Sequence, residues 1–178
     1  NSTGGIKDVT VSDVRGSEMG LGICIWSGEI DTVHISDTTV EGCLLGVMVG
    51  NDQANLTNCT ITGLRAEDVP SIGIIAMDGA IVNINSCDIS DCWVSEPTEE
   101  EGNAGFGIMV GNPGVTPEAL STVTITGCSN IFDNNFGIYV DDDGDLVANG
   151  NNIAENDVSG VHKENAPSVD ASENWWGA

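Results

Sequence analysis

NFGIYVDDDGD, residues Asn135–Asp145, sets five apolar or glycine positions directly against a run of carboxylates. A segment this short and alternating has the period of a strand rather than of an amphipathic helix. Ile138 and Val140 point one way. The chain then stops at Asp141, Asp142 and Asp143, residue types that accept tight-turn geometry.

The same pattern recurs along the chain. A glycine, a β-branched residue, any residue and another apolar one occur as Gly22-Ile-Cys-Ile, Gly46-Val-Met-Val, Gly73-Ile-Ile-Ala, Gly107-Ile-Met-Val and Gly137-Ile-Tyr-Val, with a degraded copy at Gly160-Val-His-Lys. Successive glycines are 24, 27, 34, 30 and 23 residues apart. A second motif lies between them, two apolar residues five or six apart: Ile6/Val11, Ile35/Val40, Leu56/Ile61, Ile84/Ile89, Ile125/Ile131, Val147/Ile153 and Val169/Trp175. Two motifs in constant order over the whole length define a repeat.

One such unit cannot bury its own apolar side. Stacked at roughly 4.8 Å per layer, the units bury all of them in one column. The expectation is therefore an all-β fold, a right-handed parallel β-helix solenoid of about six to seven coils, in a single domain over residues 1–178. Corners fall at 27–31, 50–55, 77–80, 111–120 and 141–145. The longest insert is Val94–Gly105. The chain opens within a repeat, without Met or a basic-then-apolar leader, and reads as a piece of a longer product.

In these units, such as Asn134-Asn-Phe-Gly-Ile-Tyr-Val and Asn156-Asp-Val-Ser-Gly-Val, the chain resembles the right-handed parallel β-helix repeat family, of pectate-lyase-like architecture. Asn174-Trp-Trp-Gly resembles a closing motif frequent in such repeats of bacterial and archaeal surface proteins. The resemblance spans essentially the whole chain and is specific for fold. It leaves function open, because it implies a class that holds lyases, hydrolases, adhesins, copper-site maturation proteins and envelope proteins. The acidic balance is most similar to secreted archaeal members.

That balance is 28 acidic residues against four Lys and Arg, a formal net charge of −24. Such a field repels nucleic acid and anionic membranes and favours solvated surfaces or bound cations. No apolar run reaches the roughly 18 residues of a membrane span.

The six cysteines lack zinc-knuckle spacing. Cys59, Cys87 and Cys128 each stand three places after the first apolar residue of a pair, which predicts a thiol ladder. Buried filler, an interlayer disulfide and a soft-metal site are all open to it. Cys43 and Cys92 share another ladder, interrupted by Leu64.

The middle residues of the glycine-led strands, Cys24, Met48, Ile75, Met109, Tyr139 and His162, are expected to face outward as an apolar stripe on an acidic exterior. Such a stripe marks a covered surface. Its cover is either a loop of the same chain or a partner, for which an identical copy is the candidate. Asp141, Asp143 and Asp145 are a candidate Ca²⁺ set, with a solvated turn as the alternative. Asn1, Asn55 and Asn58 fit the glycosylation pattern.

A catalytic set is not placed. His34 and His162 stand isolated, and Arg15 and Arg65 fall in turn regions with no acidic trio around either in a shared strand. The expectation is an extracellular, non-enzymatic structural protein that self-assembles into an envelope layer, sheath or filament, without a cofactor other than Ca²⁺. The alternatives are a carbohydrate-active or carbohydrate-binding domain, with glycan as partner, and an adhesin stalk.

Overall fold

The computed structural model describes residues 4–14, 20–26, 32–67, 69–95, 97, 103–111 and 119–177. Asn1, Arg15, the corner at 27–31, the stretch 98–102 with Glu99–Glu101, and 112–118 lie outside the described residues.

Among the described residues, each unit gives three short strands, one to each of three sheets. Sheet A carries Gly4–Lys7, Thr32–Ser36, Gln53–Thr57, Ile81–Asn85, Ser121–Thr126, Gly144–Ala148 and Ser168–Asp170, in that spatial order. Sheet B carries Thr10–Ser12, Thr39–Glu41, Thr60–Thr62, Asp88–Ser90, Asn130–Phe132 and Asn152–Ala154. Sheet C carries Leu21–Trp26, Leu45–Gly50, Ser71–Met77, Gly105–Val110, Phe136–Val140 and Ser159–Lys163. A short fourth pair, Arg65–Ala66 with Trp93–Val94, extends one corner. All pairings are parallel and join successive units, so the chain winds as a right-handed parallel β-helix.

Equivalent apolar residues stack inside the column. In sheet A, Ile6, Ile35, Leu56, Ile84 and Ile125 are successive partners. In sheet B the line is Val11, Val40, Ile61, Ile89, Ile131 and Ile153. Most of these side chains are fully buried, each stabilising by roughly 1.5–3 kcal/mol relative to exposure. One sequence pairing is corrected. Ala148, not Val147, continues the sheet A line as the partner of Ile125, and Val147 faces solvent. Val169 likewise pairs with Leu146 and belongs to the neighbouring line.

The repeated glycine has a steric cause. A Cβ on Gly73 would meet the Gly107 carbonyl oxygen at 2.4 Å and the Cys92 sulfur at 3.2 Å. Gly22, Gly46, Gly107 and Gly137 are closed off in the same way by the next glycine's carbonyl. The glycine and the residue after it both face the interior, so the residues on either side of that pair both face outward. Corners use left-handed backbone, at φ 51 for Asp37, 54 for Asn58, 58 for Asp91 and 54 for Asp133, where Asn and Asp carry less strain than other side chains.

Candidate functional site

The outer face of sheet C places the expected stripe in register. Cys24, Met48, Ile75, Met109, Tyr139 and His162 are successive partners. A second outward line, Leu21, Leu45, Ile72, Phe106 and Phe136, runs beside it. Of the two covers expected for this line, the same chain supplies the one at its centre. Ile75, Met109 and Tyr139 are buried, in a cluster with Ile72, Phe106, Phe136 and Ala104 that is separate from the column core. Ala104 comes from the end of the longest insert, and the paired lines of large side chains shield each other.

The aromatic end of this cluster is ordered by ring packing. Tyr139 stacks on His162 with centroids 5.1 Å apart, and Phe106 on Phe136 at 5.4 Å. His162 is thus not isolated. The Tyr139 hydroxyl donates to Glu164. At the opposite end Cys24 is exposed and Trp26 is 53% exposed, so the stripe leaves its cover there.

All six cysteines are free thiols. Cys59 and Cys87 occupy adjacent rungs, and the Cys59 amide donates to Cys87 Sγ at 3.4 Å. Cys128 is off this ladder, which corrects the expectation. The corner Gly127–Ser129 is one residue longer than that at Ser86–Cys87. Cys128 takes φ 59 and exposure, and Ser129 fills the rung by accepting the Cys87 amide at 3.1 Å. The line ends in Asn151 and Asn174, which accept the amides of Ser129 and Asn151. The Cys59 thiol donates to the carbonyls of Ile35 and Thr57. Its hydrogen bond with Cys87 pulls its pKa down to about 7 against the effect of burial, while Cys87 is pushed up by the same partner and by burial.

Cys43, Leu64, Cys92, Asn134 and Asn156 form the second ladder, each seated against the glycine line. Asn134 Oδ1 accepts the Cys92 amide at 3.0 Å, and Asn156 Oδ1 accepts that of Asn134 at 3.2 Å. Burial pushes the Cys92 thiol up.

The acidic corner groups Asp141, Asp142 and Asp143, with one oxygen of each within 4.8 Å of the others. Asp145 is not in this group. It stands on sheet A as the partner of Thr122 and Ser168, because the turn closes at Gly144. Asp142 takes its place. Asn55 sits mid-strand, accepting from Asn83 at 2.8 Å, whereas Asn58 is on an exposed corner, donating to Asp37 at 2.6 Å.

One assembly escaped the sequence reading. Arg65 donates from Nε to Asp91 Oδ2 at 3.1 Å and from its other arm to Oδ1, and its guanidinium lies 5.8 Å from the Trp93 ring centre. These residues, with Asp133, Asn134, Glu155 and Asp157, line an open groove of about 430 Å³. The Asp91 contacts hold the guanidinium above its ordinary pKa. These acids stand at a corner, outside any strand shared with Arg65, and Asp91 is the one that pairs with it. The signal was positional: Asp91, Asp133 and Glu155 each immediately precede a rung of the second ladder and so stack at one corner.

Three parallel sheets, in-register ladders and a glycine line define the class, a right-handed parallel β-helix. The chain matches the family model described as right handed beta helix region over residues 1–175, and belongs to that family. No curated protein and no solved structure matches it.

Proposed function

We propose that the chain is an extracellular structural protein that assembles with copies of itself into a cell-envelope layer, sheath or filament. One observation carries this reading: the outward apolar stripe, buried at Met109, emerges into solvent at Cys24 and Trp26. On a chain of net charge −24, most of the surface repels a second copy. An apolar end is where association gains free energy. The protein does no chemistry in this reading, and its continuous parallel ladders give it mechanical resistance. Sedimentation and negative-stain microscopy over a range of protein and salt concentrations test it. Ordered assemblies that grow with salt and are lost in Trp26→Asp support the reading. A monomer under all conditions overturns it.

The groove favours a second reading, carbohydrate binding. Trp93 offers an aromatic face beside Arg65 and an excess of carboxylates over guanidinium, a set suited to sugar hydroxyls. A glycan array with the native chain and Trp93→Ala tests it, with reducing-sugar release as the readout for hydrolysis. Binding lost in the variant supports a glycan partner.

A further inference from the structure

The turn between Phe136–Val140 and Gly144–Ala148 is closed by the Gly144 amide, which donates to the Asp141 carbonyl at 3.0 Å. It holds three consecutive carboxylates with converging oxygens. Asp141 is only 7% exposed and Asp143 3%, while Asp142 faces solvent. Asp141 Oδ1 accepts the Asp142 amide at 2.8 Å. Its Oδ2 is buried and has no hydrogen-bond partner among the described residues.

Further negative charge lies close by. The Glu164 amide donates to the Val140 carbonyl at 2.8 Å, which places Glu164 on the neighbouring layer beside Asp141.

A desolvated carboxylate oxygen without a donor is costly unless it is neutralised. Here its nearest charged neighbours are themselves acidic. We propose that this turn is a binding site for one hard divalent cation, Ca²⁺, with Asp141, Asp142 and Asp143 as its protein ligands. Three adjacent residues of one turn supply an irregular oxygen set. Ca²⁺ accepts six to eight oxygens in flexible geometry, whereas Mg²⁺ demands a near-ideal octahedron. Water completes the shell on the exposed Asp142 side. The bound ion would fix the corner between sheets C and A.

The test is calorimetric titration of the full chain with CaCl₂ in about 1 M NaCl, where a Debye length of about 3 Å suppresses loose cation condensation on the acidic surface. The expected result is one saturable site. Asp141→Asn and Asp143→Asn should each weaken it at least about tenfold, and Asp157→Asn, in the separate groove, should leave it unchanged. Melting without Ca²⁺ guards against misfolding: Asp141→Asn should melt no lower than the native chain, because it removes a buried charge. Added Ca²⁺ should raise the melting temperature of the native chain and of Asp157→Asn more than that of the two ligand variants. No saturable binding to the native chain, or equal affinity in the native chain and the two ligand variants, overturns the proposal.

Discussion

The carbonyl oxygen of Gly137 lies 2.6 Å from where a Cβ on Gly107 would sit, and the Asn134 amide nitrogen lies 2.9 Å from the same point. Neither neighbour can retreat easily. One belongs to the ladder of sheet C and the other to a hydrogen-bonded line of side chains. Gly107→Ala should therefore destabilise the fold by about 1–3 kcal/mol, the usual cost of overpacking. Gly150, with φ +71 and open space around its Cβ position, is the control. Gly150→Asn should cost well under about 1 kcal/mol, because Asn tolerates left-handed backbone. Urea denaturation of both variants checks the contrast.

Asn134 carries a separate prediction. Its Oδ1 is the acceptor for the buried Cys92 amide. Asn134→Ala leaves that donor unpaired inside the column, at a cost of about 1–3 kcal/mol. Asn55→Ala, on the half-buried outer face of sheet A, should cost less by the same measurement.

The buried thiols predict a dependence on pH. Cys92 and Cys87 are raised above the ordinary thiol value of about 8.5. Below that value both folded and unfolded chains hold these protons, and the stability is full. Above it only the unfolded chain releases them, so stability falls as pH rises, by about 1.4 kcal/mol per unit for each thiol. Cys59, lowered to about 7, has the opposite sign. Its contribution is present above about 8.5 and is lost as pH falls through 7. Unfolding free energies should decline from pH 9 to 10.5, and Cys92→Ala should make that decline shallower.

Thiol reactivity separates the cysteines into two groups. Cys24 and Cys128 are exposed, whereas Cys43, Cys59, Cys87 and Cys92 are buried. Alkylation of the native protein, followed by peptide mapping, should label the first pair rapidly. The other four should be labelled only at the rate at which the structure opens. Early labelling of Cys87 would contradict the register described for sheets A and B.

The fold was legible because Ile, Val and Gly recur at positions that each layer must fill in the same way. Ile61, Ile89 and Ile131 were readable as one line from spacing alone. Ser129 was not, because the longer corner at Gly127 moved the rung one place along the chain and spacing pointed to Cys128. The stripe from Cys24 to His162 was readable as a line, since register follows the glycine. Which cover lies over its centre was not, because that depends on Phe106 and Phe136 of the parallel line and on Ala104 of the insert packing against it. The Arg65 groove was hidden for a related reason. Arg65 and Asp91 meet across layers, and no local spacing connects residues from different units until the corner is built.

The corner at Gly127–Ser129 takes in an additional residue, yet Asn130, Ile131 and Phe132 still pair with Asp88, Ile89 and Ser90. Chain length and alignment are thus decoupled at the bends: what is inserted there spills outward instead of propagating along the axis. A solenoid with this property can acquire peptides at its vertices, whether epitopes, adhesive tips or proteolytic tethers, while its interior scaffolding remains indifferent to the cargo.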